Sequence, residues 1–312
     1  VTEGIFYLLE DPLMTRRLTL SAPVKGQPLR IGSGFEASHF GEHFFNGLID
    51  PVVMVDHFQM TAPTFEPHPH AGISAVTYLF EDSTAPHVNY DSLGNQGPIE
   101  PGALHWLAAG RGAVHTEQPE GASPYVHALQ IFVNLPARQK MASPFAIHAA
   151  AATIPEFHGE GVRVRVVAGH SNGITAPHSA ALPQPFTLLD GSSAPGSRFT
   201  HLLAAGWNAM IYPLTGSLTL LAEGERHLIP AGHGMGISLP ADGGEAIALQ
   251  LEATERSHFM VLAGQALNEP LVKHGPFVMN SHDAIADRLH AYQRGEFGQL
   301  NDDWLHNGQY RP

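Results

Sequence analysis

The sequence contains no cysteine. That absence excludes a disulfide scaffold, cysteine-ligated zinc fingers and thiol catalysis, and it fits a reducing compartment. Any metal the chain holds must be taken by His, Asp or Glu. Lysine is nearly missing as well, with 3 against 13 arginines, a bias expected of a GC-rich bacterial source. Charged residues make up only 14%, the net charge is −13 and no basic run occurs, so neither nucleic acid nor an anionic membrane surface is an expected partner. No apolar run approaches the roughly 18 residues of a membrane helix, and no basic segment leads into an apolar one near the start. Membrane spanning and secretion therefore lack support, and a cytoplasmic monomer is expected.

Histidine, glycine and proline are what the chain has in quantity, at 21, 32 and 25 of 312 residues. Such a length exceeds what one core normally serves, and 43% hydrophobic residues is an ordinary globular balance, so two domains are expected. Glycine and proline recur between brief runs rich in Val, Ile, Leu, Phe and Tyr, such as PVVMVDHF at 51–58, GISAVTYLF at 72–80 and VRVRVVA at 162–168. That spacing predicts many short strands joined by turns, hence an all-β sandwich or barrel. Helix signals wait for the tail, where Ser281 can cap a segment with Ile285, Leu289 and Tyr292 at i, i+4 and i+7, and Gly295 can stop it. A weak repeat divides the chain: Ile99-Glu100-Pro101-Gly102 leads into one apolar run, and about 130 residues later Ile229-Pro230-Ala231-Gly232 leads into another. The expected division is an N-terminal barrel at 1–140, a C-terminal barrel at 141–280 and a helical tail at 281–312.

The stretch EPHPHAGI holds His68 and His70, one residue apart around Pro69. Random placement of 21 histidines yields about 1.4 His-x-His pairs, and the chain has one, so the pair alone carries little information. In an extended segment, however, residues i and i+2 project to one face about 6 to 7 Å apart, close enough to share an ion. Pro69 cannot donate to a sheet ladder, which puts the segment at a strand start or edge. A second pair of the same parity is His115 and Glu117 in GRGAVHTEQP. Three imidazoles and one carboxylate leave positions open on an octahedral ion, which suits Fe(II), Mn, Ni, Cu or Zn chemistry better than a closed structural role. The other His-x-Glu, His158 and Glu160, falls in the presumed connector. His87 reads as an exposed loop residue, and Arg111 lies between two glycines near the proposed site.

The blocks PHPHAGISAVTYLFED at 67–82, EPGALHWLAAGRGAVHTEQP at 100–119, QIFVNLP at 130–136 and RSHFMVLAGQALNEPLVKHGPFVMN at 256–280 make the sequence resemble the pirin family, bicupins of the cupin superfamily. The resemblance implies two stacked antiparallel β-barrels of jelly-roll type, a short C-terminal helix and a terminal segment that packs back across the barrels. It also implies a non-haem iron in the first barrel, held by His68, His70, His115 and Glu117, and a second barrel without metal. The implied activity is that of a flavonol-cleaving quercetin 2,3-dioxygenase, with a planar phenolic substrate, O2 and Glu117 or a metal-bound water as proton acceptor. The alternative the family offers is an iron-bearing, redox-sensitive regulatory protein that acts through a protein partner without turnover. One departure stands out: where the family usually has Arg-Gly-Phe-Glu after the histidine pair, this chain has Ala71-Gly72-Ile73-Ser74. On an unbroken strand Ser74 would share a face with His68 and His70.

Overall fold

The computed structural model describes residues 17–242 and 244–300, so the outermost parts of the expected N-terminal barrel and helical tail lie outside the described residues. Two units repeat one strand order. In the first, an antiparallel sheet runs Phe145–Ala149, Leu104–Ala108, Ile73–Leu79, Val126–Asn134, Val52–Met60, Phe35–Gly41, Gln27–Ile31. A second sheet of that unit runs His68–His70, Ala113–Pro119, His87–Asp91, Gln96–Ile99. The other unit follows the same path, Thr19–Leu20, His233–Leu239, Trp207–Thr215, Ser257–Gln265, Phe186–Ser193, Val162–Ala168, Glu156–Gly159, and adds Val24–Lys25 beside His233–Leu239. Its smaller sheet runs Arg198–Leu203, Ile247–Ala253, Leu218–Ala222, Glu225–Ile229. The fold is thus all-β, a duplicated jelly roll with a short C-terminal helix, each unit being two sheets rather than a closed barrel.

The large sheet of the first unit is buried on both faces, which is why Ile73–Leu79 reads as a nearly unbroken buried run instead of alternating. Val76, Tyr78, Trp106, Leu129, Ile131 and Val133 point away from their own unit and share a core with Leu188, Met210, Tyr212, Met260 and Leu262 of the other. Each such fully buried side chain contributes about 1.5–3 kcal/mol, so the two units are held by a shared apolar core. The opposite parity on the same strands, with Ala75, Thr77, Gln130 and Phe132, faces the interior of the first unit.

Between His70 and Ile73 the chain changes sheets. Ala71 forms an isolated parallel bridge with Phe277, and Gly72 turns the corner at φ +75°. A Cβ on Gly72 would lie 1.9 Å from the Val278 carbonyl oxygen, so only glycine fits there. That oxygen belongs to a strap formed by Val272–His274, Phe277–Met279 and the helix His282–Gln293. Ser281 caps the helix as expected, its side chain accepting the Ala284 N–H at 3.1 Å. Ile285 is buried as anticipated, but Ala291 is the helix's second buried residue and Tyr292 is 38% exposed. Phe277, Met279, Ile285, Ala291 and Phe297 pack on Ala71 and Val114, behind the strands that carry the histidines.

Candidate metal centre

His68–His70 is an edge strand that pairs only with Ala113–Pro119, in the register His68 to His115 and His70 to Ala113. Pro69 sits opposite Val114, where its missing N–H costs no ladder bond to a further strand. His68, His70 and His115 then project to the same side. Their ring centroids stand 4.9, 4.7 and 4.8 Å apart, a near-equilateral triangle. His70 Nε2 and His115 Nε2 are 3.0 Å apart, and one nitrogen from each of the three rings lies within 4.8 Å of the others. Among the described residues no other His, Asp or Glu group has this property.

The electrostatics keep these rings uncharged. Burial pulls His70 and His115 well below the ordinary imidazole value and lowers His68 too, with repulsion between the rings adding to the effect for His70 and His115. Neutral imidazole is the form that ligates a metal. His68 Nδ1 lies 2.9 Å from the Glu66 carbonyl, which can only accept, so Nδ1 donates and Nε2 keeps its lone pair.

Glu117 faces the same cavity but stands outside the histidine group. Its Oε2 accepts the Thr77 hydroxyl at 2.6 Å and lies 3.7 Å from His87 Nε2. Oε1 is buried without a partner. Burial raises this carboxyl to about 7, against the lowering effect of the Thr77 hydrogen bond. The donor set of three neutral imidazoles beside an oxygen with no other partner is the chemistry a divalent first-row ion takes.

The cavity beside the triangle has a volume of about 140 Å³. Phe35, Phe58, Phe65, Phe132, Met54 and Met60 supply its apolar wall, and Asp56, His87 and Gln130 its remaining polar groups. Across the floor runs a feature no motif announced. His39, Asp56, Gln130, Thr77, His105 and His148 stand opposite one another on six successive strands, a single polar row.

Several expectations change. Ser74 does not share the face of His68 and His70, because the corner at Gly72 starts a new strand in the other sheet; Ser74 pairs with Ala108 and Val133, and the residues of opposite parity face the cavity. Arg111 is exposed and donates to Ser143 Oγ at 3.0 Å, away from the cavity wall. His87 is 2% exposed, inside strand His87–Asp91, and burial lowers it to about 3. The alternation of His87, Asn89 and Asp91 with Val88 and Tyr90 in HVNYD marks a strand, but not which of its faces lies toward the cavity. In the second unit the strands matching the histidine pair carry Phe199, His201 and Leu203 against Leu251, Leu249 and Ile247. There the equivalent interior is mostly hydrocarbon, with His201 3.1 Å from Ser171 Oγ.

The comparisons with known proteins agree with this architecture. The family model described as Pirin matches residues 30–133, and that described as Pirin C-terminal cupin domain matches 188–298. Pirin of Homo sapiens is 30% identical over 285 residues, covering 91% of this chain and 94% of the relative. Pirin-1 of Arabidopsis thaliana is 32% identical over 253 residues, covering 80% and 84%. Among solved structures, one described as quercetin 2,3-dioxygenase from Acinetobacter baumannii superposes with a TM-score of 0.78 at 25% identity, over 91% of this chain and 99% of that one. In fold alone, the Escherichia coli pirin YhhW in complex with nickel(II) follows at a TM-score of 0.59 and 16% identity, over 80% and 99%. With both family models in chain order and a full-length relative at this identity, the chain belongs to the pirin family of bicupins.

Proposed function

We propose that His68, His70 and His115 hold one divalent transition metal, with Glu117 as its carboxylate ligand, and that the site oxygenates a planar phenol such as the flavonol quercetin. The observation that carries the reading is the triangle of neutral imidazoles opening on a cavity walled by phenylalanine. Fe(II) is the assigned ion; the same donors accept Mn, Ni, Cu or Zn. The A. baumannii neighbour is described as a quercetin 2,3-dioxygenase and the E. coli pirin as a nickel complex, which agrees with a metal and a phenol in this fold. When bound, the ion supplies Lewis acidity toward a phenolic oxygen and redox chemistry with O2.

The chain's own residues do the rest. Phe35 and Phe58, stacked with centroids 5.3 Å apart, and Phe132 against His70 at 5.1 Å offer ring faces to a planar substrate and keep water out. Glu117 is the carboxyl placed to take the phenolic proton, since burial raises it to about 7. Thr77 holds Oε2 and so leaves Oε1 as the oxygen turned to the ion. The test is anaerobic Fe(II) loading followed by O2 uptake with quercetin. Stoichiometric consumption is expected of the native chain and not of His115→Ala; equal uptake by both rejects the reading. Ala71 and Ser74 stand where the family usually has Arg and Glu, and this favours a second reading, an iron-binding regulatory protein that signals its oxidation state to a protein partner without turnover. Identical partner sets for the Fe(II) and Fe(III) forms in a pull-down count against it.

A further inference from the structure

Gln130 stands in the middle of the polar row and lines the cavity. Thr77 Oγ1 is 2.6 Å from Glu117 Oε2 and 2.9 Å from Gln130 Oε1. A hydroxyl has one proton and cannot donate to both oxygens. With Glu117 a carboxylate, the shorter contact takes that proton, and Thr77 turns lone pairs toward Gln130. An amide meets lone pairs with its NH2 group, and a half-turn of the terminal torsion exchanges nitrogen and oxygen within the same space. After that turn Gln130 Nε2 donates to Thr77, and the carbonyl oxygen occupies the position where a buried nitrogen now has no partner.

Two other polar groups of the wall are engaged through one atom each. Asp56 Oδ1 is 2.7 Å from His39 Nδ1, and His87 Nε2 faces Glu117. Glu117 itself is assigned to the metal. Gln130 stands in the same wall, two residues before Phe132, and one position of its amide has no partner among the described residues. A buried acceptor in such surroundings favours a ligand that brings it a hydroxyl and penalises one that does not. We propose that Gln130 Oε1 accepts a hydrogen bond from a hydroxyl of the substrate and is the specificity-determining residue of the cavity, selecting vicinal diols of the catechol or hydroxyphenol class over their O-alkylated analogues. The inference rests on the reading of a phenol in this cavity. Thr77 is the positioning residue that sets the amide's orientation.

The experiment titrates the Ni(II)-loaded full chain with 4-nitrocatechol and with 2-methoxy-4-nitrophenol, following the nitrophenolate absorbance. In Gln130→Leu the Kd for 4-nitrocatechol is expected to weaken about fivefold to tenfold, the loss of one neutral hydrogen bond, while the methoxy analogue changes less than about twofold. Nickel content, measured by elemental analysis, stays at the native level. Gln130→Met, closer to the amide in length, gives the same pattern and serves if the leucine variant folds poorly. Equal losses for both ligands, or no loss for either, overturn the role of Gln130 while leaving the phenol reading standing. A native chain that binds neither ligand overturns both.

Discussion

Lys140 offers a sharp test of how the strap is held against the candidate centre. It is 1% exposed, and its Nζ lies 2.9 Å from the Gly72 carbonyl, 2.5 Å from Asn134 Oδ1 and 2.9 Å from the Val278 carbonyl. One ammonium thus joins the corner after His70, the end of strand Val126–Asn134 and the strap. Lys140→Met keeps the hydrocarbon and removes three donors. Gly72 still receives the Leu135 N–H at 3.2 Å, so Val278 and Asn134 bear the loss, at about 1–3 kcal/mol for each unpaired acceptor.

The pH dependence of the difference is the cleaner quantity, because the acceptor loss is common to every pH. Burial lowers Lys140 from 10.5 to about 8, with Glu269 and Asp50 opposing. Between those values the unfolded chain binds the proton and the folded chain does not, so this group's contribution to stability is present above 10.5 and is lost as pH falls through 8. The gap corresponds to about 3 kcal/mol. Urea unfolding of both proteins at pH 7, 8.5 and 10 is expected to show the native chain gaining on the methionine variant by about 2–3 kcal/mol over that range. A constant offset would refute a buried ammonium clamp, and equal stability at pH 10 would refute the acceptor argument as well.

Gly72→Ala places a Cβ against the Val278 oxygen at positive φ; a loss of several kcal/mol and release of the strap are expected, with metal retention falling by elemental analysis, and a native-like melting temperature would contradict the packing. His115→Ala removes one corner of the triangle and is expected to abolish metal retention on dialysis without changing the circular dichroism spectrum. His258 Nε2 and Asp190 Oδ1 are 2.6 Å apart. For His258, burial is the largest single influence and acts downward, but the hydrogen bond and charge of Asp190 together outweigh it and raise the imidazole. Burial likewise opposes ionisation of Asp190, and His258, Tyr78 and Arg165 together lower it. The pair's contribution is complete between the unfolded values of about 3.9 and 6.5, fading as pH rises through the folded histidine value and as it falls through the folded carboxyl value. Melting curves of His258→Asn are expected to lie closest to native above pH 8 and furthest below it near pH 5 to 6.

How much of this was legible in the sequence depends on whether a given inference had to cross a corner. That His68 and His70 share one side, and His115 and Glu117 another, was readable because each pair argument stayed within one strand, and strand parity is a local property of extended backbone. Glu117 obeyed the same parity and faces the cavity, yet which neighbour takes its carboxylate is decided by Thr77, forty residues away in the other sheet. Ser74 failed for the complementary reason: parity was carried through Ala71-Gly72, where φ +75° and the close Val278 carbonyl force the chain out of one sheet and into another. The glycine was visible, but a glycine alone does not say that a strand ends.

His87 failed because of an assumption about which side is inside. In HVNYD the apolar residues would ordinarily mark the core and the histidine the solvent, but this unit encloses a polar-lined cavity, and its other face is covered as well: Val88 is 9% and Tyr90 8% exposed. With both faces buried, hydropathy cannot choose between them, and only the register with Ala113–Pro119 shows that His87, Asn89 and Asp91 share the side of His115 and Glu117. The polar row is further out of reach. Asp56, Gln130, Thr77 and His105 become neighbours only through three strand registers between segments separated by up to about 75 residues, and a one-residue slip in any of them would turn its member to the opposite face. What a sequence fixes locally here is which residues can be ligands; which acceptors stand beside them is a property of register, and Gln130 was for that reason invisible until the strands were paired.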